Sequence, residues 1–420
     1  MGQTFAEKLL AKKSGKAKVD PGEIVEVSPD LVMSHNASWR VIRQFRNFGG
    51  KKVLDPERIV MVLDHRSPAD SAQSANNYNL IREFAAEQQI KWFYGIEAGI
   101  CHQVLMENGH VLPGTLIPGT DSHCTTYGAL GAFGTGIGFT EVTSIWVMGK
   151  LWLKVPESVK IVLKGRFHFG TFARDLMLSL SKIFTTRGCS YKAVEFHGPA
   201  LREMDISERT TLANVTTEMG AKTAYVEVDE VTRNYLKNRA KKEYEEIHPD
   251  PDANYHRVTE IDLATIEPSV ALPHRPDNVV PISQAPQDKI HEAYIGSCTN
   301  GNLEDLAAAA RVLKGRRIHP GTRLIVTPAT KEVYLDAIKE GYIQTLVESG
   351  AAILNAGCGA CAGGFQAALG DGERCIASIN RNFMGRMANP KAFIFLASPA
   401  TVAATAIEGK IADPRKYIEE

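Results

Sequence analysis

Cysteine placement gives the first sign of chemistry in this chain. Cys358 and Cys361 sit on a glycine-rich turn, NAGCGACAGG, and Cys298 sits far upstream in GSCTNGN, after the apolar pair Tyr294-Ile295. Glycines around such a turn let backbone approach a bound group and let its N–H groups point at sulfur. Three thiolates together make a soft site suited to an iron–sulfur cluster, or to zinc with a fourth ligand. Zinc would want another Cys or a well-spaced His, and none lies near this turn. A four-iron cluster held by three cysteines keeps one iron free of protein ligands, a Lewis acid able to bind hydroxyl and carboxylate oxygens. Against this stands the plainer reading of each thiol as a buried apolar side chain.

Three histidine motifs add acid–base chemistry: Asp64-His65, Cys101-His102-Gln103 and Asp121-Ser122-His123. An Asp beside an imidazole fixes its tautomer and raises its pKa, which makes a general acid. Singly, each His reads as readily as a satisfied core or surface residue. In Asn380-Arg381-Asn382-Phe383-Met384-Gly385-Arg386, two arginines could present forks to carboxylates, or simply form a solvated turn. Asn214 and Glu218, four apart, would share a helix face. The run GALGAFGTGIGFTE at 128–141 has no GxGxxG register behind a long strand, so it is not read as a dinucleotide site. Its glycines are expected to permit close backbone packing below the site.

Short β-branched runs that alternate with helical stretches must position these residues. Arg58–Leu63, Thr115–Pro118, Val159–Leu163 and Arg323–Thr327 read as strands, and Ser74–Gln88 and Leu303–Leu313 as helices. Thr4 and Glu7 form a capping-box pattern on a helix through Ala11. The alternation predicts α/β layers, in which polar residues just past a strand's C-terminal end face the ligand crevice. Residues 246–288 carry Pro249, Pro251, Pro268, Pro273, Pro276, Pro281 and Pro286, which predicts an irregular connection between a first part, 1–285, and a last part, 286–420.

The 420 residues suggest two or three domains. Lys+Arg and Asp+Glu are both 48, so no excess charge is available for a nucleic-acid backbone or an anionic membrane. Seven cysteines, an odd number in a chain of this size, suit a reducing compartment. With neither a secretory signal nor an apolar run long enough to span a bilayer, the expected location is the cytoplasm.

Taken in order, these patches resemble the large subunit of the aconitase family, in its isopropylmalate dehydratase and homoaconitase branch. The resemblance runs from about Phe5 to Tyr417. It rests on DH at 64, GICHQ at 99, GTDSHCTTYGALGAFGTGIG at 119, NVTTEMGA at 214, GSCTNG at 296, GCGACAGG at 357 and NRNFMGR at 380. It implies three α/β/α subdomains around one 4Fe–4S cluster per chain, held by Cys298, Cys358 and Cys361. The implied reaction is dehydration and rehydration of a 2-hydroxy di- or tricarboxylic acid. Asp64 and His65 would protonate the leaving hydroxyl. His102, Asp121 and His123 would surround the departing water, with Glu218 supporting His123. Ser122, Asn214, Asn380, Arg381 and Arg386 would bind substrate or lie beside the cluster.

The family takes its C3 base, a serine beside an arginine, from a small swivelling domain. This chain ends at Glu420, soon after a third subdomain should close, so the resemblance implies a separate small subunit and a heterodimer or dimer of heterodimers. The substrate expected first is 3-isopropylmalate, with homoaconitate, citrate, 2-methylmalate and 2,3-dimethylmalate as alternatives. Residues 34–38 (SHNAS), residues 66–70 (RSPAD) and Thr126 depart from patterns common in related chains. The rivals outside this reaction are an RNA-binding iron sensor and a structural zinc protein.

Overall fold

The computed structural model describes residues 2–418. Its strands fall into three main sheets and one two-stranded ribbon. The chain opens with α1 (Phe5–Ser14), where the Thr4 and Glu7 side chains cap each other's backbone reciprocally, as the sequence pattern predicts. The ribbon pairs β1 (Ile24–Val27) with β7 (Leu151–Lys154). The first sheet contains β2 (Val32–Ser34), β3 (Ile59–Val62), β4 (Trp92–Tyr94), β5 (Leu116–Gly119) and β6 (Phe133–Gly136), in the order β4-β3-β2-β5-β6 and all parallel. Helices α2 (Ser38–Asn47), α3 (Ala72–Glu87), α4 (Cys101–Glu107) and α5 (Phe139–Met148) lie along this part of the chain.

The second sheet is parallel in the order β10-β9-β8-β11, from β8 (Ser158–Lys164), β9 (Ala193–His197), β10 (Thr223–Val226) and β11 (Arg257–Asp262). Its helices are α6 (Ala173–Phe184), α7 (Ile206–Val215) and α8 (Glu230–Leu236). The third sheet has seven strands, ordered β13-β12-β18-β17-β14-β15-β16. They are β12 (Ser269–Ala271), β13 (Val279–Pro281), β14 (Glu292–Gly296), β15 (Arg323–Thr327), β16 (Ala352–Ile353), β17 (Arg374–Ala377) and β18 (Phe393–Leu396), with α9 (Leu303–Leu313), α10 (Lys331–Lys339), α11 (Tyr342–Ser349) and α12 (Pro399–Glu408).

This is the α/β architecture expected, with one difference of detail. The proline-rich stretch carries β11, β12 and β13 rather than serving only as a connection. β12 and β13 are three residues each and run antiparallel at the sheet's margin, where a proline's missing N–H costs no ladder bond. Buried strand β3, exposed on neither face, reads in sequence as a continuous apolar run for that reason. The glycines at 128 and 134 sit where a Cβ would strike the backbone carbonyls of Ala224 and Cys124, the close packing their spacing predicts. No helix among the described residues is long and apolar enough to cross a membrane.

Candidate active site

The chemistry-bearing residues sit just past the C-terminal ends of parallel strands. His35 follows β2, Asp64 and His65 follow β3, and Asp121 to His123 follow β5. From the third sheet, Cys298 follows β14, Cys358 and Cys361 follow β16, and Asn380 to Arg386 follow β17. The loop ends of the two sheets face one cavity of about 370 Å³. His65, His102, Asp121, His123, Cys298, Cys358, Cys361, Arg381 and Arg386 line it. Asp64, Glu218, Asn214 and Asn380 are buried behind these groups.

Asp121 is the hub. Its Oδ1 accepts from the His123 backbone N–H at 2.7 Å and lies 3.0 Å from His102 Nε2, and its Oδ2 lies 3.4 Å from His65 Nε2. Burial alone would raise its pKa, but the three histidines outweigh it and hold the carboxyl well below the usual range. His65 is held at both nitrogens, with Nδ1 donating to Asp64 Oδ1 at 2.8 Å. Burial opposes its charge, yet Asp64 and Asp121 win and push its pKa well above the ordinary imidazole value. His65 is therefore held as an imidazolium, with Nε2 facing Asp121 Oδ2 on the cavity wall. Asp64 also accepts from the Cys101 N–H at 3.0 Å, and its pKa falls to about 2 because His65 overrides the effect of burial.

His123 joins the same network from the other side. Its Nε2 lies 2.9 Å from Glu218 Oε1, and Arg381 Nε donates to both Glu218 oxygens at 2.8 and 3.0 Å. Burial and Arg381 both press the His123 pKa down, but Asp121 and Glu218 prevail and raise it. Arg381 also donates to Ser122 Oγ at 3.0 Å.

The sulfurs are dressed with donors. Asn214 Nδ2 donates to Cys298 Sγ at 3.2 Å, and Arg386 donates to Cys361 Sγ at 3.2 Å. Asn380 Nδ2 donates to Asn214 Oδ1 at 2.6 Å and lies 3.6 Å from Cys298 Sγ. Cys361 is held well below the usual thiol range, first by the Cys358 S–H and also by Arg386, so the pair carries a thiolate. All seven cysteines are buried free thiols. Cys101, Cys124 and Cys189 are buried in one apolar cluster and Cys375 in another, and none of the four lines this cavity. At the turn, Gly359 has φ +51°, and a Cβ there would strike the Tyr294 hydroxyl, so only glycine fits.

Six further residues line the cavity that the motif reading did not single out as site residues: Ala362 and Gly363 of the cysteine turn, and His35, Asn36, Arg66 and Ile100. The His35 ring lies 4.4 Å from the His65 ring, and its Nδ1 accepts from the Ala37 N–H at 3.0 Å. Burial, then the His65 charge, lower its pKa to about 4, so it is neutral. Arg66 pairs with Asp70. The signal that could have found these residues is position: His35 and Asn36 follow β2 as Asp64 and His65 follow β3.

The model of the aconitase family (aconitate hydratase) matches residues 7–409. The 3-isopropylmalate dehydratase large subunit 1 of Methanopyrus kandleri is 46% identical over 419 residues, covering 100% of both chains. The protein of the same description from Pyrococcus furiosus is 45% identical over 422 residues, again covering 100% of both. Among solved structures, Thermococcus kodakaraensis aconitase X in its holo-form has a TM-score of 0.48 and 12% identity, covering 85% of this chain and 84% of that one.

Proposed function

The chain belongs to the aconitase family, and from that premise we propose that it is the cluster-bearing large subunit of a hydro-lyase. Its substrate would be a 2-hydroxy di- or tricarboxylic acid, first of all 3-isopropylmalate in conversion to 2-isopropylmalate, since the similar chains carry that description. The observation that carries the reading is the convergence in one cavity of three cysteine sulfurs, three histidines on one carboxylate, and two arginines.

The donor set suits a 4Fe–4S cluster, one per chain. Cys298, Cys358 and Cys361 are buried and free of disulfides, and Cys298 and Cys361 each accept from an N–H donor, which favours a thiolate. Bound there, such a cluster supplies a Lewis-acidic face toward substrate oxygens. The rest of the work falls to the chain's own residues. His65 delivers the Nε2 proton to the departing hydroxyl, and Asp64 keeps the imidazolium charged and oriented. Asp121 holds His102 and His123 around the space that the released water occupies. Glu218 keeps His123 in place and orders Arg381. Arg381 and Arg386 bind substrate carboxylates, whose charge grows as the C3 proton leaves. Ser122, Asn214 and Asn380 hold these groups and the Cys298 sulfur in register.

We further propose a separate small subunit that closes over the cavity and brings the C3 base, giving a heterodimer or dimer of heterodimers, in the cytoplasm. The three sheets would mark three subdomains, the third beginning near Ser269, because β12 and β13 pair into its sheet. A second reading of the base is favoured by one contact. Ser122 Oγ accepts from Arg381, and a neighbouring cation makes a hydroxyl a more available base.

The test is anaerobic titration of a small subunit into the cluster-loaded chain, following absorbance of the unsaturated acid across a panel of hydroxy acids. Turnover that appears only with the partner and saturates at a one-to-one ratio supports the two-subunit reading. Full turnover by the chain alone supports Ser122. No turnover of any substrate by the loaded complex contradicts the hydro-lyase reading.

A further inference from the structure

α4 borders a second cavity, of about 390 Å³. His102 faces the first cavity, and the next residue, Gln103, faces the second. The rim is acidic: Glu107, Asp205, Glu304, Glu332 and Asp336 line it. Glu332 is taken by Arg239 at 3.2 Å and Asp336 by Lys339 at 2.7 Å. Glu107 has only the Thr330 hydroxyl, at 2.7 Å, as its hydrogen-bond partner among the described residues.

The floor holds two unspent amide groups. Gln103 is 5% exposed and Asn302 is 8% exposed, and both line the cavity. Gln103 Nε2 donates to the Cys298 carbonyl at 2.9 Å and to Asn302 Oδ1 at 3.1 Å. A carbonyl only accepts, so this contact fixes which way the Gln103 amide faces. It leaves Gln103 Oε1 and Asn302 Nδ2 buried without partners. Buried polar atoms left unpaired are costly, and a ligand that satisfies them recovers that free energy. The rest of the lining is mixed, with apolar Met106, Ile206 and Leu303 beside Ser207, Thr210, Tyr235 and the Arg239 guanidinium, which is already paired with Glu332.

We propose that this cavity binds a small organic ammonium ion with a short apolar body and one hydroxyl. The ammonium donates to Gln103 Oε1 and the Glu107 carboxylate, the hydroxyl oxygen accepts from Asn302 Nδ2, and the body rests on Met106, Ile206 and Leu303. The volume lies in the range of small-molecule sites, and half-apolar walls do not form the all-oxygen cage that a divalent metal requires. The site is independent of the proposed hydro-lyase reaction. It shares the Gln103 side chain with the Cys298 loop, so its occupancy acts on the same loop and helix that carry Cys298 and His102.

The probe is valinol, titrated calorimetrically into the full chain, with 3-methylbutan-1-ol as the uncharged comparison and magnesium chloride as the metal comparison. We expect one-to-one saturable binding of valinol, and none of the alcohol. Glu107→Gln should weaken binding by about tenfold or more, since the ammonium displaces the proton that burial keeps on the Glu107 carboxyl and pairs with the carboxylate. Ser207→Lys places a tethered ammonium at the rim beside Glu304 and should weaken it similarly. Should Glu107→Gln fail to fold by circular dichroism, Ser207→Lys, on the partly exposed first turn of α7, decides alone. No saturable heat up to about 10 mM, equal binding of the alcohol, or affinity unchanged in the folded variants would overturn the proposal. So would magnesium binding that displaces valinol one for one, which would make this a metal site.

Discussion

Asp64→Asn isolates the carboxylate that keeps His65 charged. The Asp64 carboxyl titrates near 2 instead of 3.8. That difference corresponds to roughly 2 kcal/mol of preference for the ionised form. His65 is the main source of that preference, and the interaction is mutual, so its imidazolium draws comparable support from Asp64. The asparagine still offers one oxygen to the Cys101 N–H, which keeps the loop in place. Its amide then presents N–H to His65 Nδ1, which turns the ring into a neutral tautomer. Losing roughly 2 kcal/mol of support for the charged acid should lower kcat by roughly 30-fold, with larger losses if the tautomer change blocks donation altogether. KM should move little, since the proposed carboxylate clamps, Arg381 and Arg386, are unchanged. The assay is steady-state turnover by the loaded two-subunit complex, with iron content matched to the parent. A kcat within threefold of the parent at equal iron would refute the reasoning that Asp64 sustains an imidazolium acid.

Cys298→Ser, Cys358→Ser and Cys361→Ser should each prevent stable cluster assembly, whereas Cys101→Ala, Cys124→Ala, Cys189→Ala and Cys375→Ala should leave iron and sulfide content unchanged by chemical analysis. Arg386→Lys should raise KM and lower kcat together, since an ammonium cannot reproduce a guanidinium fork toward Cys361 and a carboxylate. Arg209 is fully buried with five donors spent on Asp229, Thr232 and the Met204 and Leu201 carbonyls, so Arg209→Ala should cost about 3–5 kcal/mol in urea unfolding. Burial raises the Glu107 pKa to about 8. The folded state therefore keeps a proton that the unfolded state has released between about pH 4.5 and 8, and stability falls as pH rises through that window. Glu107→Gln should flatten that part of the pH–stability profile, and an unchanged slope would show that the carboxyl is not held neutral.

Much of this was legible in local sequence, because strand and helix ends carry local signals. Arg58–Leu63 contains β3 and Leu303–Leu313 matches α9, since apolar runs and helical spacing reflect burial directly. Residues with an adjacent partner, such as His65 beside Asp64, could be found by spacing. His35 could not. The Asp121 carboxylate 4.0 Å from it follows a different strand of the sheet. The contact between Ser122 and Arg381 joins residues 259 positions apart, and only the meeting of the loop ends of the first and third sheets creates it. Likewise the prolines of 246–288 read as a break, because sequence does not show that β12 and β13 occupy a margin where proline is tolerated.

The most direct test of the central claim is metal and acid-labile sulfide analysis of the anaerobically purified chain, before and after exposure to air. The account predicts about four iron and four sulfide per chain, with about one iron lost in air because three cysteines cannot protect a fourth iron. Zinc without sulfide, or four irons fully retained in air, would contradict it.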